Sequence, residues 1–275
     1  MKKVVAVIFS KNRSLQLDLC LRTLQLHCAD IHKISDVNVL YKADDHHKES
    51  YEILKREYPD VNFIEEVSFK QDLLDIVHNK SGILLYIVDD SVFVEDFLLD
   101  NIVSNLESNP DCLGFSLRLG LNCSYCFPYG KFQDIPIATK TENGVANKYN
   151  WQTAQLDFGY PLELSSSAYR LEDIIEILEY CNYDSPNGLE DNMASCYIHD
   201  KPNLLMYDKS VAFSNPMNKV QVDHPNKSGN ISPDALLKYF MDGYRINPEP
   251  FNHYKNNGAH QMADIEMIKR EKNVF

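Results

Sequence analysis

No stretch of this 275-residue sequence approaches the roughly 20 apolar residues that span a bilayer. Glycine is scarce, and neither a Walker loop nor a Gly-x-Gly-x-x-Gly turn occurs, so the two commonest phosphate cradles are missing. Basic charge is short as well. The 27 Lys and Arg against 40 Asp and Glu leave a net charge of −13, which argues against a nucleic-acid groove or broad contact with anionic lipid. Seven cysteines make an odd number without the spacing of a disulfide scaffold; reduced thiols in a cytoplasmic protein are the expectation. Cys123 and Cys126 form one Cys-x-x-Cys, but no second pair sits where a zinc site needs it, so the pair reads as structural. The opening MKKVVAVIFSKNR imitates a signal peptide, yet its apolar run is short and no small-residue cleavage site follows. It reads as a first core strand.

The first 110 or so residues alternate strand and helix patterns like repeated βα units. Strands are expected at 4–9, 37–41, 61–64 and 83–88. Between them, Leu17, Leu21, Leu24 and Cys28 share one helical face, as do Tyr51, Leu54 and Tyr58. Leu73, Leu74 and Val77 mark a third helix, and Leu98, Ile102 and Leu106 a fourth. Residues 111–160 are rich in Gly, Pro, Asn and aromatics and predict a loop-rich region that shapes a pocket. Helices resume around Leu171–Leu178, from near Leu189 through Met193, Cys196 and Tyr197, and at Ser232-Pro233, an N-cap and N1 pair carrying Leu236, Phe240 and Tyr244 inward. Residues 246–275 read as a docked arm or a frayed tail.

The chemistry-bearing residues fall at strand ends. The run Ile83–Val88 closes on two adjacent acids, Asp89 and Asp90. Parallel strands put their C-terminal ends on one sheet edge, where open α/β sheets hold ligands. The turn Ser10-Lys11-Asn12-Arg13 and the sequence Lys42-Ala43-Asp44-Asp45 end two other strands at that edge. Glu190-Asp191 supplies a second acidic pair in the other half of the chain. Two acids at a buried strand end suggest a divalent cation bridging a diphosphate. A turn and helix cap before 92–99 is the competing explanation for Asp89-Asp90, and helix-dipole acids the competing one for Glu190-Asp191.

This layout resembles the GT-A fold of nucleotide-sugar glycosyltransferases, broadly of the family 2 type. The resemblance rests on Val88-Asp89-Asp90-Ser91 as the metal motif and Glu190-Asp191 as the late acid pair. The motif here is Asp-Asp-Ser where the family usually has Asp-x-Asp, which leaves open the acid that meets a metal. The fold it implies is α/β, with a mostly parallel central sheet flanked by helices. Residues 1–110 would be the nucleotide-sugar-binding half, 111–245 the acceptor-binding and catalytic half, and 246–275 a C-terminal arm.

The implied reaction moves a sugar from a nucleoside-diphosphate sugar to a hydroxyl acceptor (a glycan, a lipid-linked group or a protein), with inversion. Asp191 or Glu190 would be the base. Ser10, Lys11, Asn12, Arg13, Asp44 and Asp89 would bind the donor, and Trp151 the acceptor. Mn2+ or Mg2+ would be held by Asp89, Asp90 and His224. Two alternatives stand beside this reading. A sugar-1-phosphate nucleotidyltransferase shares the layout, although its Gly-rich loop after the first strand is absent here. A non-catalytic carbohydrate- or partner-binding protein of the same fold is the other.

Overall fold

The computed structural model describes residues 3–195, 200–218 and 228–270. In chain order the strands are β1 (Val4–Lys11), β2 (Ile34–Lys42), β3 (Asn62–Glu65), β4 (Ile83–Val88), β5 (Ser91–Phe93), β6 (Cys112–Ser116), β7 (Tyr125–Cys126), β8 (Lys131–Phe132), β9 (Ala138–Lys140), β10 (Asn147–Asn150), β11 (Ser167–Arg170), β12 (Asn203–Met206), β13 (Ala212–Ser214), β14 (Tyr244–Ile246) and β15 (Met267–Lys269). The helices are α1 (Ser14–His27), α2 (Lys48–Glu57), α3 (Phe69–Val77), α4 (Leu99–Ser108), α5 (Leu171–Tyr180), α6 (Pro186–Ser195) and α7 (Pro233–Met241).

Nine strands form one sheet in the order β3-β2-β1-β4-β11-β6-β12-β10-β9. Seven of them point the same way; β11 and β10 run opposite. The fold is therefore α/β with a large, mostly parallel central sheet flanked by helices. Side chains of β1 alternate between two cores: Val4, Ala6 and Ile8 face one, and Val5, Val7 and Phe9 the other. Burial on both faces is why this strand reads as an unbroken apolar run. Helices α1, α2, α4 and α7 cover the first face, and α3, α5 and α6 the second. Gly82 leads into β4 at φ +117°, where a Cβ would lie 2.2 Å from the Lys3 carbonyl oxygen. Only glycine fits there.

The four βα units of the first 110 residues form as their periodicity predicts. Three later elements differ from expectation. Cys112–Ser116, assigned to the loop-rich stretch, is the buried strand β6. At five residues it is too short to stand out by periodicity, and its Gly114 makes room for the Tyr169 ring, 2.7 Å from where a Cβ would be. Helix α6 begins at Pro186 rather than near Leu189, while Cys196 and Tyr197 lie outside the described residues. Tyr244 sits in β14, not on the last helix, because α7 ends at Met241 and Gly243 turns the chain at φ +79°. The start of α7 is as read: the Ser232 hydroxyl accepts the Ala235 amide at 3.1 Å. Among the described residues, no helix is long and apolar enough to cross a membrane.

The described residues after β14 reach back onto the fold. Phe251 and Ala259 are buried, and Arg270 pairs with Glu57 of α2 at 3.0 Å.

Candidate active site

Strand order reverses between β1 and β4: β2 and β3 lie on one side of β1, while the chain returns to its other side for β4. A crevice outside the C-terminal ends of the strands forms at such a switch point. Here it is a cleft of about 740 Å³. Ser10, Lys11, Arg13, Asp89 and Asp90 line it from the β1 and β4 ends, and Glu190 and Asp191 line it from α6. Residues some 180 positions apart in sequence thus face a common space.

Asp89 and Asp90 form the turn between β4 and the short strand β5, which pairs with β13. No helix begins there, so the capping explanation falls. Arg13 bridges the two acids. Its Nη1 lies 3.1 Å from Asp89 Oδ1 and 3.0 Å from Asp90 Oδ2, and its Nε donates to Asn218 Oδ1 at 2.9 Å. The Lys11 amide donates to Asp89 Oδ2 at 3.2 Å. Burial pushes the Asp90 carboxyl up to about 6, against the pull of Arg13 and with a further push from Asp89. One guanidinium does not balance two adjacent carboxylates.

Across the cleft, α6 has no acid in its first turn, so the helix dipole does not account for Glu190-Asp191. Glu190 Oε1 accepts the Leu164 amide at 3.1 Å. Its carboxyl is pushed up to about 7, chiefly by burial and then by the charge of Glu163. Asp191 is exposed at the rim. A carboxyl that titrates near neutrality is suited to take or give a proton.

The remaining candidates are placed elsewhere. Asn12, at φ +54°, binds Asp44, its Nδ2 donating to Asp44 Oδ2 at 2.8 Å. Asp44 Oδ1 accepts the amides of His46 and His47 at 3.0 and 3.1 Å, closing the turn into α2. Trp151 donates its indole N–H to the Lys201 carbonyl at 2.8 Å and packs on the second core. None of these three borders the cleft. His224 lies outside the described residues. Cys123 and Cys126 are buried thiols, pushed up to about 12 and about 11 by desolvation, as a structural pair would be.

Several cleft residues escaped the sequence reading. Arg118, two residues past β6, is buried and pairs with the buried Glu163 at 3.1 Å. Asp157 and His260 also line the wall, the imidazole pushed down to about 3 by burial and by Arg118. Leu156 beside them adopts φ +55°, a strained backbone of the kind that gathers at ligand sites. The signal for Arg118 was the one that gave Lys11 and Asp89, a charge at a buried strand end, but it needed β6 to be seen first.

Among the described residues no three His, Cys, Asp or Glu side chains cluster to hold a metal ion. A cation bound through Asp89 and Asp90 would take its other ligands from diphosphate oxygens and water, as hard cations commonly do. Charge also favours such an ion. Seven carboxylates and four cationic side chains line the cleft, so a diphosphate entering alone meets net repulsion.

The chain resembles a glycosyltransferase. It is 30% identical over 187 residues to the bifunctional glycosyltransferase pgtA of Dictyostelium discoideum, a match over 62% of this chain and 24% of that protein. The chain thus spans about a quarter of that relative's length. No family model matches. Among solved structures, residues 1–349 of S. aureus TarS superpose with a TM-score of 0.46 at 15% identity, over 77% of this chain and 60% of that one. The mannosyltransferase PcManGT of Pyrobaculum calidifontis, in complex with GDP-Man and Mn2+, superposes with a TM-score of 0.41 at 14% identity, over 70% and 50% of the two chains.

Proposed function

We propose that the cleft is the active site of a nucleotide-sugar-dependent glycosyltransferase of the GT-A kind. The observation that carries this is the pairing, across one cleft, of an undercompensated Asp89–Asp90 site at the sheet's switch point with a Glu190 carboxyl near 7. The sequence likeness to a glycosyltransferase supports it. Residues 1–110 form the donor half, and 111–245 carry the acceptor and the base.

A Mn2+ or Mg2+ on Asp89 and Asp90 would hold the donor diphosphate and stabilise the negative charge of the leaving group. Arg13 orients the two carboxylates and supplies a fixed positive charge beside them. Lys11 and Ser10 lie on the same wall to meet the donor. Glu190 takes the proton from the acceptor hydroxyl as that oxygen bonds to the anomeric carbon and the bond to the diphosphate breaks. A base opposite the leaving group gives inversion. Asp191, at the rim, orients the acceptor, which is a hydroxyl of a glycan, a lipid-linked group or a protein. The glycine-free turn at 10–13 fits a diphosphate better than the triphosphate of a nucleotidyltransferase.

The test is turnover. Purified protein with MnCl2, a panel of UDP- and GDP-sugars and simple glycosides should release the nucleoside diphosphate of at least one donor. Binding of a donor without release under any acceptor would leave a carbohydrate-binding protein as the better account.

A further inference from the structure

Arg118 is a buried cation on the cleft wall whose charge is met but whose hydrogen-bond donors are not all used. It is 3% exposed, and among the described residues its one ion pair runs from Nε to Glu163 Oε2 at 3.1 Å. That contact is not a hydrogen bond at Nε, which is a fully buried donor without an acceptor among the described residues. A guanidinium carries five N–H donors, and buried donors are rarely left without acceptors. Its position is fixed from behind. Glu163 is held by the Ser165 amide and the Ser167 hydroxyl, and the Leu117 amide donates to the Ser166 carbonyl at 2.9 Å. The Cys123 thiol donates to the Arg118 carbonyl at 3.4 Å. Open donors on a rigidly mounted side chain bordering a cleft mark a place for ligand oxygen.

The surroundings decide the kind of oxygen. Glu163, Asp157 and Glu190 all act on Arg118 electrostatically, so its positive charge is already met and a second anion gains little there. Glu190 and Asp157 also line the wall and can accept hydrogen bonds. A hydroxyl both donates and accepts, and two adjacent ones match the fork of a guanidinium. Phe127, Tyr160 and Leu164 border the same space and offer apolar faces to ring carbons.

We propose that Arg118 binds a vicinal diol of a sugar ring, donating from its guanidinium while Asp157 accepts from the hydroxyls. Arg118 is then a specificity-determining residue, and the inference rests on the glycosyltransferase reading of this cleft. The diol belongs either to the transferred sugar of the donor or to an acceptor sugar, and the experiment separates the two.

Isothermal titration with MnCl2 would compare wild type, Arg118→Lys, and the charge-balanced double variant Arg118→Gln/Glu163→Gln. The ligands are the UDP- and GDP-sugars that wild type binds, together with bare UDP and GDP. A donor diol predicts that affinity for the nucleotide sugar falls by about tenfold or more while that for the bare diphosphate holds. An acceptor diol predicts unchanged donor binding and a KM for p-nitrophenyl glycoside acceptors raised by about tenfold or more. Deoxy analogues of donor and glycoside, assayed on wild type, give the same answer if the variants do not fold: removing the contacted hydroxyl should cost about as much. Variants and analogues that all stay within about twofold overturn the proposal, because a purely structural Arg118 predicts that result. Wild type that binds no nucleotide sugar overturns the underlying reading instead, and the proposal with it.

Discussion

Arg13 and Asp90, 77 positions apart in sequence, meet at 3.0 Å at the switch point of the sheet, with Asp89 on the same guanidinium nitrogen. Removing Arg13 would leave two neighbouring carboxylates without their cation. Arg13→Ala is expected to lose ~2–4 kcal/mol in urea denaturation, since an uncompensated buried charge is costly. MnCl2 should restore more of the variant's stability than it adds to wild type, because a divalent ion can replace the missing charge. Equal shifts in both proteins would count against cation binding by this pair.

Asp90 gives a prediction with a defined sign. Its folded carboxyl titrates near 6, above the ordinary aspartate value, so its ionised form destabilises the fold. That penalty is absent below the unfolded pKa and complete above the folded one. Asp90→Asn should therefore be more stable than wild type at pH 8, by roughly 1–3 kcal/mol or several degrees in Tm. The gap should close as pH falls from about 6 towards 4. The same variant should bind a nucleotide sugar with manganese much more weakly, a trade of stability for function that thermal scans and titrations can measure together.

Glu190 should set the acid limb of the reaction. With its carboxyl near 7, kcat/KM for the free enzyme should rise with pH through that region as the base ionises. Glu190→Gln should reduce turnover by ~100- to 10,000-fold while donor affinity is kept. Asp191→Asn should act mainly on acceptor KM. If Asp191→Asn is the variant that abolishes turnover and Glu190→Gln leaves it intact, the two acids exchange roles.

Asp44 serves the fold in this structure. Asp44→Ala should cost about 1 kcal/mol through loss of the turn closing α2, with donor affinity unchanged. A donor affinity that falls along with stability would return Asp44 to the site.

The sequence and the structure agree where burial leaves a long periodic trace. The strand 83–88 and its acids were readable because a strand buried on both faces is apolar throughout, and an acid pair at its end stands out. The αβ rhythm that placed Lys11 and Arg13 beside them was readable for the same reason. Arg118 was not, because β6 is short and lies among glycine-, proline- and aromatic-rich sequence that imitates loop. Asn12 and Asp44 show the opposite limit. Their positions at strand ends were right, but a side chain at the correct edge can still turn to close a neighbouring helix. No sequence pattern reveals that choice, since it depends on the φ of +54° at Asn12.

The most direct test of the account is donor binding at the acid pair. Titration of a UDP- and GDP-sugar panel into wild type should find at least one ligand that binds at one site per chain, more tightly with MnCl2 than with EDTA. That binding should be lost in Asp89→Ala/Asp90→Ala and retained in Glu190→Gln. Binding that ignores the acid pair, or no binding of any nucleotide sugar, would contradict it.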